Sequence, residues 1–186
     1  EGGIRVPLIV HAPGIVKAGV ISSVPASSPD YWPTILELAG VKPPAHLHGR
    51  AFAGQYVAAP RQYNFGFRGR MDERYDCVRS CTDGRYVYVR HFMPHRIYGQ
   101  YIAYMFETPT TAVWKKLYDE GKLNEAQRKF WETKPAEELF DLTTDRDEVN
   151  NLAGSAEHRA VLERMRKALF GWMREVRDIG LLPENE

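Results

Sequence analysis

Arg68, Arg70, Asp72 and Glu73 (RGRMDE) form the densest knot of chemically capable groups in this chain. A guanidinium presents a planar fork of N–H donors that grips two oxygens of a sulfate or carboxylate at once. Carboxylates beside it accept hydrogen bonds from hydroxyl groups. The plainer alternative is an exposed ion-pair cluster, worth about 0–1 kcal/mol. His91 and His95 (HFMPHR) are imidazoles that either bind an anion and move a proton or simply form a turn at Pro94. His46 and His48 lack a third ligand at useful spacing, so no metal ligand is assigned in the chain. Cys77 and Cys81 on one strand stand about 13 Å apart. That exceeds the reach of about 7 Å for a disulfide, so both are expected as small apolar side chains.

These groups must be positioned by two different kinds of structure. Residues 7–10 (PLIV) read as a buried strand ending at Pro13-Gly14, and 19–24 as a second short one. A helix follows, with Ser28 or Asp30 as cap, Pro33 in its first turn, Ile35, Leu36 and Leu38 as its apolar side, and Gly40 as its stop. From about Gln62 the pattern is antiparallel. Strands are expected over 62–67, 75–82 and 85–92, the last two joined through Asp83-Gly84, a strong hairpin signal. A two-residue turn there pairs Ser80 with Val87 and Val78 with Val89. Val78, Val87 and Val89 then face a core, while Arg79, Tyr86, Tyr88 and Arg90 form an outer aromatic and basic face. Two short helices over 111–120 and 124–132 precede a strand at 138–142. The best helix covers 157–178, with Ser155 as cap and Val161, Met165, Leu169, Trp172 and Val176 as its apolar stripe. Tyr98, Tyr101, Tyr104 and Phe106 suit either a stacking wall or a core under the sheet.

Composition narrows the partners. With 25 basic and 24 acidic residues the net charge is +1, so no global field draws in nucleic acid or an anionic membrane. No run approaches the roughly 20 apolar residues of a membrane span. The chain opens Glu1-Gly2-Gly3 without a methionine and is expected to be a piece of a longer polypeptide.

Four segments then carry a resemblance. Glu1-Gly2-Gly3-Ile4-Arg5-Val6-Pro7 resembles the sulfatase E-G-G-x-R-x-P element, and residues 33–40 (PTILELAG) that family's P-T-I-L-x-L-A-G helix. His48-Gly49-Arg50 is similar to the element that follows it. Glu138-Leu139-Phe140-Asp141-Leu142, with Asp145, Glu148 and Asn151-Leu152-Ala153, resembles E-L-Y-D-L-x-x-D-P-x-E-x-x-N-L-A, with Arg146 in place of the usual proline. Residues 68–76 resemble more narrowly the bacterial branch related to heparan N-sulfatase.

The resemblance implies an α/β fold: residues 1–58 end an alkaline-phosphatase-like α/β domain, and 59–186 form an antiparallel β-sheet subdomain with a long C-terminal helix. It implies hydrolysis of sulfate esters or sulfamates on a sulfated carbohydrate, with formylglycine as nucleophile and Ca²⁺ as metal. The formylglycine motif C/S-x-P/A-x-R fits neither Cys77 nor Cys81, because Arg79 and Asp83 stand where Pro or Ala belongs. No catalytic residue is therefore assigned, and neither cofactor is expected to be bound by this chain. The missing N-terminal part of its own polypeptide is an expected partner, and by family the setting is periplasmic or secreted. Arg68, Arg70, Asp72, Glu73, His91 and His95 are the expected substrate-binding residues. Glu1 and Arg5 are expected to pair as an active-site floor. A non-catalytic carbohydrate-binding or interaction module, and a phosphodiesterase or phosphonate hydrolase, are the alternatives.

Overall fold

The computed structural model describes residues 4–182 and divides into two compact units, 1–64 and 65–186. In the first, a 3₁₀ turn at Ser28–Asp30 leads into helix α1 at Tyr31–Leu38. Its faces are the reverse of the expectation. Ile35 is 55% exposed and Leu38 is 37% exposed, while Asp30, Thr34 and Glu37 are buried. The cause lies in the loop that α1 holds, whose backbone amides need acceptors. Asp30 receives the amides of Ser27 and Arg50 and the guanidinium of Arg61. Thr34 receives the amide of Phe52, and Glu37 those of Gln55 and Tyr56. Gly54 adopts φ +109, and a Cβ there would lie 2.6 Å from that of Glu37. The expected strands over 7–10 and 19–24 are not formed among the described residues. Those segments leave Ile9 91% and Ile21 98% exposed. An apolar run becomes a strand only with a neighbour to take its backbone hydrogen bonds.

The second unit is built on a four-stranded sheet in the order β1 (Asn64–Met71), β2 (Arg74–Thr82), β3 (Tyr86–His91), β4 (Glu137–Asp141). β2–β3 and β3–β4 are antiparallel. The β2–β3 register is displaced by two residues from the expected one: Ser80 faces Val89 and Thr82 faces Val87. Asp83 causes this by capturing the amides of Arg85 and Tyr86 at 3.0 and 2.7 Å, which widens the connection. β2 also kinks at Cys77, which holds φ 51.

Both faces of the sheet are covered, so the face expected to be outward is internal. Helix α5 (Arg159–Glu175) lies on the side of Cys81 and Tyr88, which are 1% and 0% exposed. It buries Leu162, Met165, Leu169 and Met173. Met165 and Leu169 were expected there; Leu162 and Met173 take the places expected of Val161 and Trp172, a displacement of one residue at each end, and Val176 is the residue that follows the helix. Trp172 stacks on Phe65 at 4.7 Å. Arg79, 2% exposed, is held by Asp178 at 2.5 and 3.0 Å, so its charge is neutralised inside. His158 rather than Ser155 occupies the helix cap, with the Ser155 hydroxyl 3.0 Å from its Nδ1. The connection from β4 is closed by side chains: Asp145 accepts the amides of Val149 and Asn150, and Asn151 those of Leu139 and Ala153.

The opposite face is covered by the segment 92–136. It carries α2 (Ala103–Phe106), α3 (Pro109–Asp119), α4 (Glu125–Arg128) and a 3₁₀ turn at Lys129–Trp131. Asn124 caps α4 by a reciprocal exchange with Gln127, which fixes its start. Trp114 and Phe130 stack at 4.5 Å, and both pack against the buried Trp131.

Candidate functional site

Arg68 and Arg70 lie within strand β1 and not in a loop after a strand. Asp72 and Glu73 form the tight turn to β2, with Asp72 at φ 51. Strand alternation puts Arg68 and Arg70 on one face. Arg68 has 42% of its side chain exposed, and its Nε lies 3.2 Å from Asp76. Asp76 in turn receives the ammonium of Lys134, and the two side chains are 3% and 0% exposed. A buried ammonium and carboxylate satisfy one another where neither alone is tolerated. The pair thus forms a fixed base from which Arg68 projects.

The network continues inward. Lys134 lies 5.7 Å from the centre of the Tyr98 ring. The Tyr98 hydroxyl donates to Glu138 at 2.5 Å, and the other Glu138 oxygen is 2.7 Å from His91 Nε2. Burial, then the Glu138 carboxylate, pushes the Tyr98 phenol well above its ordinary range, so it remains a donor. His91 is 3% exposed with its Nδ1 buried and unpartnered. It is an internal group of this network and offers no surface to a ligand. His95 sits exposed on the turn at Pro94. Glu73 accepts the amide of Ala103 at 3.4 Å.

The structure therefore brings Arg68 and His91 into one network and leaves His95 outside it. Arg5 is exposed, and Glu1 lies outside the described residues. Asp76 and Lys134 were given no role from the sequence, and Tyr98 and Glu138 were read there as a stacking or core ring and as part of a family element, not as members of such a network. Asp76 and Lys134 lie 58 residues apart, and nothing local marks them as partners.

On the α5 face, Glu137 binds Arg166 through two hydrogen bonds of 2.8 Å and accepts the Tyr88 hydroxyl at 2.5 Å. Arg166 holds the Glu137 carboxyl below its ordinary range, against the opposing effect of burial. Glu137, Arg166 and Tyr88 are paired with one another, which makes this cluster structural. Among the described residues no group of three or more His, Cys, Asp or Glu side chains is placed to hold a metal ion. These described residues bring together no ligand set for the hard cation implied by the resemblance, and no chemical step is derived through it. Among the same residues, no helix is long and apolar enough to cross a membrane.

Comparison with known proteins gives these geometries a context. No family model matches the chain. It is 36% identical over 187 residues to an ulvan-active sulfatase of Formosa agariphila, covering 100% of this chain and 31% of that protein. A second ulvan-active sulfatase of the same organism is 29% identical over 195 residues, covering 98% and 35%. The chain spans about a third of the length of these curated relatives. Among solved structures, a 2-O GAG sulfatase is similar with a TM-score of 0.53 at 20% identity, covering 80% of this chain and 25% of that one. A protein bound to its substrate D-glucosamine-2-N,6-O-disulfate has a TM-score of 0.52 at 15% identity, covering 83% and 25%. These structural likenesses establish the fold.

Proposed function

Because the chain belongs to the sulfatase family and matches the C-terminal part of its relatives, we propose that it completes the substrate pocket of a hydrolase acting on a sulfated glycan. The single observation that carries this reading is the presentation of Arg68. Its guanidinium is anchored at Nε by a buried carboxylate, and its terminal nitrogens make no hydrogen bond among the described residues. A fork held this way loses little freedom on gripping a sulfate or carboxylate. Arg70 on the same strand and Asp72 and Glu73 at the turn supply further donors and acceptors for an anionic sugar. His91, through Glu138 and Tyr98, is a positioning residue in this scheme.

The nucleophile and the metal belong, in this reading, to a preceding segment of the same polypeptide. Formylglycine and Ca²⁺ would there supply the attacking oxygen and the charge stabilisation of the sulfuryl transition state. Loss of a nucleophile from a catalytic unit lowers the rate by on the order of 10⁶. The 186-residue chain alone is thus expected to turn over no aryl sulfate, and the longer polypeptide is expected to do so. Turnover by the repurified chain that survives EDTA would defeat the proposal. So would a preceding coding segment without a formylglycine motif, which would leave a binding module in its place.

A further inference from the structure

We propose that Tyr101 and Arg74 form a second, outlying carbohydrate subsite, which holds a neighbouring residue of a sulfated glycan by ring stacking and charge together. This rests on the sulfated-glycan reading above and extends it to two residues, Tyr101 and Arg74, that reading does not use.

An exposed tyrosine is ordinary on a protein surface. Tyr101 differs in how firmly it is held. Its side is 55% exposed, yet its ring stacks on Phe106 at 4.8 Å with planes 29° apart. Phe106 packs against Trp131, which is 5% exposed, at 6.2 Å. Tyr101 is therefore the outermost ring of a pile rooted in the core. Its backbone is pinned on both sides. Gly99 donates to the Phe130 carbonyl at 2.7 Å, Gln100 donates to the Tyr75 carbonyl at 3.2 Å, and Ile102 is 3% exposed. A side chain so constrained loses little freedom when a flat sugar face settles on it.

Charge stands directly beside the ring. Arg74 Nε donates to the Tyr101 carbonyl at 2.6 Å, which fixes the plane of the guanidinium. Its remaining amino groups make no hydrogen bond among the described residues, and its one acidic neighbour, Glu73, lies 4.0 Å away with both side chains over 40% exposed. Glu73 also binds the amide of Ala103, which ties the β1–β2 turn to the start of α2. Tyr104, three residues on, is a further exposed ring at 49%. A fixed ring with an uncommitted guanidinium at its edge matches a sugar that has an apolar C–H face and an equatorial sulfate or carboxylate. Arg74 and Asp76 are two residues apart on β2, so this subsite lies on the same sheet face as Arg68.

The test is titration of the chain with a chondroitin sulfate tetrasaccharide and with its desulfated counterpart, read by calorimetry. Tyr101→Ala and Arg74→Gln are each expected to weaken binding of the sulfated form about tenfold. Tyr101→Phe, which keeps the ring pile, should stay within about twofold. The desulfated form, which keeps its uronate carboxylates, should depend less on Arg74 than the sulfated form does and keep its dependence on Tyr101. Near-UV circular dichroism, dominated by the tryptophans beneath, separates a lost contact from a lost fold. Variants that retain this spectrum and bind like wild type would overturn the subsite while leaving the sulfated-glycan reading intact. Failure of wild type to bind either tetrasaccharide would instead overturn that reading, and the subsite with it.

Discussion

Helices α1 and α5 answer the same sequence signal in opposite ways. Both are two-faced, and in both the apolar stripe invites the reading that it faces a core. In α5 it does, with Met165 and Leu169 at 0% exposure beneath the sheet. In α1 the buried side is polar: Asp30, Thr34 and Glu37 point inward and hold a loop by its amides, while Trp32 is 69% exposed. A helix's periodicity reveals that it has two faces. Which one is covered within a given unit depends on what lies against it, and here backbone donors needing acceptors lie against α1.

The contrast can be broken most forcefully in the second unit, where a buried charge is at stake. Asp76→Ala strands the fully covered Lys134 ammonium and is expected to destabilise the unit by about 4 kcal/mol, measured by urea unfolding. A loss below about 1 kcal/mol would mean that Lys134 has water or another partner. Next comes Leu169→Ala, a cavity in an apolar interior, expected at about 3 kcal/mol. In the first unit, Glu37→Ala removes the acceptor for two amides that sit at the surface of the loop and should cost about 2 kcal/mol. If Ile35→Ser cost more than Glu37→Ala, the inverted assignment of the two faces of α1 would be wrong.

The smallest effect is a pH dependence that separates the units. Burial, reinforced by Asp83, pushes the Cys81 thiol up to about 12 from 9.0. A group whose folded pKa is raised stabilises fully below its unfolded pKa, and that contribution is lost as pH rises. Stability of the second unit should therefore fall between about pH 9 and 12, more gently in Cys81→Ala. Asp30 in the first unit has the opposite sense. Burial alone would raise its pKa, but Arg61 and the amides of Ser27 and Arg50 bring it below 3.8. Its contribution is present above that value and fades as pH falls below it. Equal alkaline slopes in the wild type and the Cys81 variant would contradict this origin.

Much of the second unit was legible because its signals are local. Asp83-Gly84 placed the hairpin, the break between 120 and 124 separated two short helices, and the element from Glu138 to Ala153 marked the last strand and the connection after it. The two-residue register shift was missed because it comes from one side chain, Asp83, competing for amides that a tight turn would have used differently. The faces of the sheet were misjudged because Tyr88 and Arg79 look like surface residues until Glu137 and Asp178 arrive from distant segments. The same holds at the candidate site. Arg68 was legible by type, but the Asp76–Lys134 pair that aims it joins strand β2 to a residue just before β4, and long-range pairing of that kind leaves no spacing to read.

The most direct test of the central claim compares Arg68→Ala with wild type in a longer polypeptide that carries the catalytic part, using two substrates. Loss of a charged hydrogen-bonding fork should raise KM for a sulfated oligosaccharide about 10- to 100-fold while changing KM for a small aryl sulfate less than about twofold. Equal changes for the two substrates would show that Arg68 serves the fold or the sulfuryl centre and not the recognition of a sulfated sugar.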